Sequence, residues 1–149
     1  MLVDCFTFYN EIDILTKRLR YLSPTVDKFV LVESTVTHRG EEKELVYDVN
    51  QHLFEKWNDK IIHENFQRNC ITRGLEEIPD DALVMISDVD EIPNKDYINL
   101  PENVNTCSFN MTAFQYSFKY TQTAEPWFGT VLTTHKVLRH VTPQMFRER

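Results

Sequence analysis

The chain has 149 residues, 42% of them hydrophobic and 12% aromatic, a composition that builds a packed core and excludes a disordered or low-complexity protein. With 23 acidic against 16 basic residues the net charge is −7, which argues against nucleic acid or an anionic membrane surface as partner. The sequence contains no basic leader and no run of about 20 apolar residues, so it reads as cytoplasmic, and three widely spaced cysteines, Cys5, Cys70 and Cys107, read as reduced thiols.

Residues 1–9 predict a first strand. Asn10, with Asp13 three residues on, is placed to cap a helix whose apolar face is Ile12, Leu15, Leu19 and Leu22, and Ser23-Pro24 stops it. Residues 28–32 form a compact apolar strand ending at Glu33, followed by a polar loop with His38, Arg39, Gly40 and Lys43. A short helix is expected within 47–57, a short strand at 60–63, and a helix at 66–75 with Gly74 near its C-terminal end. The strand at 82–87 runs into a carboxylate-rich turn, where Pro93, having no N–H for a ladder, is expected to end it. Beyond that point residues 113–120 alternate, with Phe114, Tyr116, Phe118 and Tyr120 on one face, as in a half-buried antiparallel strand, and 128–134 is its expected partner. Strands interleaved with helices predict an α/β sandwich with a largely parallel sheet, whose ligands sit at the carboxyl ends of the strands. No repeat or linker divides the chain, so 1–149 reads as one domain.

The most informative segment is Ile86-Ser87-Asp88-Val89-Asp90-Glu91-Ile92-Pro93. Alternate residues of an extended chain share a face. Asp88 and Asp90 can therefore converge on one hard cation while Val89 points to the core. Oxygen ligands with open positions suit Mg²⁺ or Mn²⁺ carrying nucleotide phosphates, and zinc's Cys/His set is not at hand. The first strand would deliver Thr7-Phe8-Tyr9-Asn10-Glu11 to the same end of the sheet and the second Glu33-Ser34. Aromatic, amide and carboxylate side chains there can stack on a base and bond its ribose.

Cys5-Phe6-Thr7-Phe8-Tyr9-Asn10-Glu11, Val30-Leu31-Val32-Glu33-Ser34-Thr35, Phe66-Gln67-Arg68-Asn69 and the Ile86–Pro93 segment, in that order, resemble glycosyltransferase family 17 over nearly the whole chain. This is the family of the β-1,4-mannosyl-glycoprotein β-1,4-N-acetylglucosaminyltransferase. The resemblance implies a GT-A-like (Rossmann-like) fold with a nucleotide-binding half over residues 1–93 and an acceptor-side half over 94–149. It also implies a nucleotide-sugar donor, expected to be a UDP-sugar, a sugar or glycan acceptor, a divalent Mn²⁺ or Mg²⁺ at Asp88 and Asp90, and inversion at the anomeric carbon. By the same resemblance Phe8, Asn10, Glu11 and Glu33 line the nucleoside, Asp88 reaches the diphosphate, and Arg68 approaches it. Members of the family continue into a Gly-Trp-His-Phe-Ser-like segment whose His is a candidate metal ligand; here His135 or His140 would have to stand in. The animal enzymes also carry a membrane anchor, so a minimal microbial or viral enzyme, with a homo-oligomer left open, is the expectation.

Inverting transfer is one displacement, in which an acceptor hydroxyl attacks the anomeric carbon as the nucleoside diphosphate leaves. Arg68 or Lys43 would help a metal stabilise charge on the leaving phosphate. Glu91 or Glu125 would take the acceptor proton, and Trp127, beside Glu125, is placed to stack on an acceptor sugar, which favours Glu125. The competing classes are a metal-dependent phosphohydrolase, a nucleotide- or carbohydrate-binding module without catalysis, and an interaction domain with no ligand.

Overall fold

A computed structural model describes residues 1–37, 39–114 and 119–148. Its strands β1 (Leu2–Phe8), β2 (Lys28–Glu33), β3 (Ile61–Asn65), β4 (Leu83–Asp88), β5 (Thr106–Phe114) and β6 (Thr121–Thr134) form one sheet in the order β3-β2-β1-β4-β6-β5. The first four are parallel, and β6 and then β5 continue the sheet antiparallel from β4. The architecture is the α/β, Rossmann-like one, mostly parallel with an antiparallel C-terminal part. Because β1 is followed by β2 on one side while β4 lies on the other, the strand order reverses between β1 and β4, the crevice where such sheets bind ligands.

The central parallel strands β1, β2 and β4 are largely apolar on both faces because each face is covered. Phe6, Phe29, Leu31 and Met85 pack with Leu15, Leu19 and Leu22 of helix α1 (Ile12–Leu22) and with Tyr47 of the short α2 (Val46–Val49). Cys5, Val30, Val32, Val84 and Ile86 point the other way, onto Ile71 of α3 (Ile71–Gly74) and Leu138 of α4 (His135–Leu138). The three cysteines are free thiols. Among the described residues no helix is long and apolar enough to cross a membrane.

Several local expectations are corrected. The cap of α1 falls on Glu11 rather than Asn10 and makes no side-chain cap bond; the Glu11 carboxylate instead turns back to accept the backbone N–H groups of Tyr9 (3.1 Å) and Asn10 (3.0 Å). The helix expected from residue 66 starts later, as a 3₁₀ turn over Arg68–Cys70, because Phe66 (φ 107°) and Gln67 (φ −157°, ψ 169°) both lie outside the helical region. Gly74 serves packing, not a left-handed cap. A Cβ there would lie 2.5 Å from Val30 Cγ1, so only glycine lets α3 rest on β2. β4 stops at Asp88, well before Pro93, because the Glu91 carboxylate takes the Asp88 N–H (3.0 Å). The strand at 128–134 is part of the longer β6. Of the alternating run at 113–120, Ala113 and Phe114 end β5, and residues 115–118, with Tyr116 and Phe118, lie outside the described residues, as does His38.

Candidate functional site

The site begins with a buried arginine. Arg18, on α1, lies among apolar residues with its guanidinium 4.5 Å from the centre of the Phe6 ring. Nε and Nη2 donate to the two Asp4 carboxylate oxygens (2.8 and 2.6 Å), and Nη2 also donates to Ser87 Oγ (2.6 Å). Nη1 donates to the backbone carbonyls of Asp88 (3.0 Å), Val89 (3.1 Å) and Glu91 (3.1 Å). Three carbonyls of one turn are thus drawn inward onto a fixed planar fork. Val89 is buried with them, and the Asp88 and Asp90 carboxylates are left on the outer side, where both line the same two cavities. A turn clamped from below, not strand alternation, brings the pair together.

The two carboxylates differ electrostatically. Burial alone would raise the Asp88 pKa. The Thr7 hydroxyl (2.6 Å) and the guanidinium groups of Arg68 and Arg147 outweigh that and hold it below the usual carboxylate range. The Asp90 carboxylate accepts no hydrogen bond from another side chain among the described residues, while its backbone carbonyl takes the Ile92 N–H (3.1 Å). Burial, and then the charges of Asp88, Glu91 and Glu11, push its pKa up. Of the two, Asp90 is the carboxylate crowded by like charge.

Glu91 ties the turn to β6. Its Oε2 accepts the Asp88 N–H, while Oε1 accepts from Trp127 Nε1 (3.2 Å) and Arg147 Nη2 (2.7 Å). The Thr130 hydroxyl donates to the Glu91 carbonyl (2.7 Å), and Arg147 also reaches the Gly129 carbonyl. A Cβ at Gly129 would meet Met111 Sδ at 2.5 Å, with Trp127 Nε1 at 3.3 Å and Glu91 Cδ at 3.4 Å, so a side chain there would first displace Met111.

Asp88 and Asp90 form a wall shared by two cavities. One, of about 510 Å³, lies at the carboxyl ends of β1 and β2 and is lined by Thr7, Phe8, Tyr9, Glu11, Phe66 and Arg68. The other, of about 640 Å³, lies toward β5 and β6 and is lined by Lys17, Glu91, Ile92, Met111, Phe114 and Trp127. Both are of ligand-binding size. A cleft with two compartments meeting at an acidic turn, at the switch point of the sheet, is suited to joining two substrates.

The model of Glycosyltransferase family 17 matches residues 1–144. The chain belongs to glycosyltransferase family 17. Comparison with curated proteins finds no match. Membership makes the protein a glycosyltransferase, with a sugar donor and an acceptor as its partners.

Against this family assignment the site residues anticipated from sequence divide into two sets. Phe8, Glu11, Arg68, Asp88 and Asp90 meet at the first cavity, and Glu91 and Trp127 meet at the second. Glu33 lines neither cavity. It is fully buried, and its carboxylate accepts the N–H groups of Val46 (2.6 Å) and Tyr47 (2.9 Å) and the Lys43 ammonium, so it fastens the loop after β2. Lys43 is held there too, 5.1 Å from the Tyr9 ring centre. Asn10 and Glu125 are exposed and line neither cavity. His135 cannot stand in as a metal ligand. Its Nδ1 contacts the Ile78 carbonyl (2.9 Å) and its backbone N–H donates to the Ala82 carbonyl, at the opposite end of β4 from Asp88, roughly 20 Å away at strand rise.

Sequence reading missed Arg18 and Arg147. Arg18 had a signal: it falls three residues after Leu15 and four before Leu22, on the apolar stripe of α1, while Asp4 sits inside an apolar strand. Two opposite charges on surfaces bound for burial call for each other. Arg147 had none, because only the return of the C-terminal segment brings it under Glu91.

Proposed function

We propose that the protein is an inverting, metal-dependent hexosyl- or N-acetylhexosaminyltransferase that moves a sugar from a nucleotide-sugar, a UDP-sugar, onto a hydroxyl of a sugar or glycan acceptor. The observation that carries this reading is the acidic wall shared by the two cavities, with Arg68 on one side and Glu91 and Trp127 on the other. The first cavity is read as the donor compartment and the second as the acceptor compartment.

Among the described residues no cluster of three or more His, Cys, Asp and Glu forms a metal cage. The donor set nonetheless fits Mg²⁺ or Mn²⁺, which are commonly held by one or two carboxylates and completed by substrate phosphates and water. Asp90, crowded by like charge, and Asp88 would be the residues that hold the cation. When bound, the cation neutralises charge on the leaving diphosphate. Arg68 already directs Nη1 to Gln144 Oε1 (3.1 Å) and Nη2 to Asp88, and from that position donates to phosphate oxygens. Glu91 lines the acceptor compartment. With three hydrogen bonds accepted out of about four lone-pair sites, it keeps one site for an acceptor hydroxyl, which favours it over the exposed Glu125 as the base. The Trp127 indole, fixed by its N–H on Glu91, offers a face for a sugar ring.

Calorimetric titration with UDP tests the reading. Binding should require Mn²⁺ or Mg²⁺, vanish with EDTA and be lost in Asp90→Ala. A panel of UDP-sugars with Mn²⁺ should release UDP faster when a glycan acceptor is added. Binding indifferent to chelator, or no UDP release from any donor, would sink it.

A further inference from the structure

Phe66 combines three features that its own packing does not explain. Its backbone is left-handed, with φ of 107°, a region that a phenylalanine avoids for steric reasons. Its side chain is 60% exposed, so the strain is not offset by burial of the ring. The ring stands in the wall of the donor cavity, two residues before Arg68. Neighbouring bonds pin the conformation from both sides. The Phe66 N–H donates to the Glu33 carbonyl (2.9 Å), Arg73 Nη2 donates to the Asn65 carbonyl (2.6 Å), and the Gln67 carbonyl accepts the Cys70 N–H (2.8 Å). A strained residue persists where its surroundings over-determine it, and such residues cluster at ligand clamps. Glycine would fit this backbone without strain, so what the position retains by carrying phenylalanine is the ring.

From this geometry we infer that Phe66 is the base-stacking residue of the donor compartment, holding the flat base of a nucleoside diphosphate whose phosphates lie toward Arg68. The inference rests on the donor reading of that cavity and goes beyond it by assigning the base to one side chain. A base presents a π-face whatever its edge, so a single exposed phenyl ring can hold it without hydrogen bonds. The order along the chain fits a nucleotide laid with its base outermost. The phenyl is at the exposed rim, and the guanidinium that follows two residues later is largely buried and contacts Asp88 in the same cavity.

The test compares wild type, Phe66→Gly and Phe66→Trp for binding of UDP, GDP and inorganic pyrophosphate, each with Mn²⁺, and for melting temperature. In Phe66→Gly, binding of the nucleoside diphosphate should weaken at least about fivefold, the low end for loss of one stacked base. Pyrophosphate binding should stay unchanged, and the melting temperature should hold or rise because the strain is relieved. Phe66→Trp should retain nucleotide binding. Equal nucleotide affinity in Phe66→Gly, a parallel fall in pyrophosphate affinity, or loss of binding in Phe66→Trp with its fold intact would overturn the inference and leave the donor reading standing. A wild type that binds neither pyrophosphate nor any nucleoside diphosphate would overturn both.

Discussion

Arg18 and Asp4 form a doubly hydrogen-bonded ion pair with both side chains fully removed from solvent, and the same guanidinium holds three carbonyls of the turn that carries Asp88 and Asp90. Fold stability and site geometry therefore depend on one side chain. Removing one partner of such a pair leaves a buried charge uncompensated, at a cost of about 3–5 kcal/mol. Arg18→Met should lower the urea unfolding free energy by that order, and adding Asp4→Leu should recover a substantial part of it. A single-variant loss below about 1 kcal/mol, in the range of exposed pairs, would contradict the buried pairing.

Gly74 and Val30 make a second paired prediction. The Cβ of Gly74→Ala would overlap Val30 Cγ1, a branched side chain in the middle of β2 with no soft torsion to yield. Overpacking of this kind costs about 1–3 kcal/mol. Adding Val30→Ala should make the double variant more stable than the sum of the two single effects implies, and a double-mutant cycle read by urea unfolding measures the coupling. Strict additivity would mean that α3 simply shifts.

The pH response of the metal-free protein should separate the two aspartates. Burial and the charges of Asp88, Glu91 and Glu11 raise the folded pKa of Asp90. Its contribution to stability is therefore fully present below the unfolded value of about 3.9 and is lost as pH rises through the folded value. Asp90→Asn should then match or exceed the wild-type melting temperature at pH 7, by up to about 2 °C, with the advantage closing on acidification. Asp88, whose folded pKa is depressed, behaves oppositely. Its contribution is present above about pH 3.9 and is lost as pH falls through the folded value, so Asp88→Asn should be the less stable variant at pH 7. Thermal melts from pH 3 to pH 7 read both signs.

Arg68 offers a test of the proposed phosphate contact. Its guanidinium spans Gln144 and Asp88, a reach that a lysine ammonium cannot copy with one nitrogen. Arg68→Lys should keep the fold and weaken Mn²⁺-dependent UDP binding by roughly tenfold, the scale of one charge-assisted contact. Unchanged affinity by calorimetry would confine Arg68 to bracing the turn.

Sequence by itself determined the parallel part of the sheet and the chemistry of its rim. The central parallel strands were legible because burial on both faces makes them largely apolar runs, and α1 was legible because Ile12, Leu15, Leu19 and Leu22 repeat at helical spacing. Asp88 and Asp90 stood out because paired carboxylates directly after a buried strand need a cation or water, and the ordered motifs around them carried the family. What only the tertiary structure decided is how each charge is used. Glu33 looked like a ligand contact, but the loop returning at Val46 and Tyr47 supplies N–H donors that consume its carboxylate. Asp88 and Asp90 share a wall because Arg18, packed beneath them from α1, pulls the turn's carbonyls inward. Arg147 enters only because the C-terminal segment folds back under Glu91. Periodicity reports which face of an element is buried. The partner that meets a charge across 70 residues of intervening chain depends on how the elements pack.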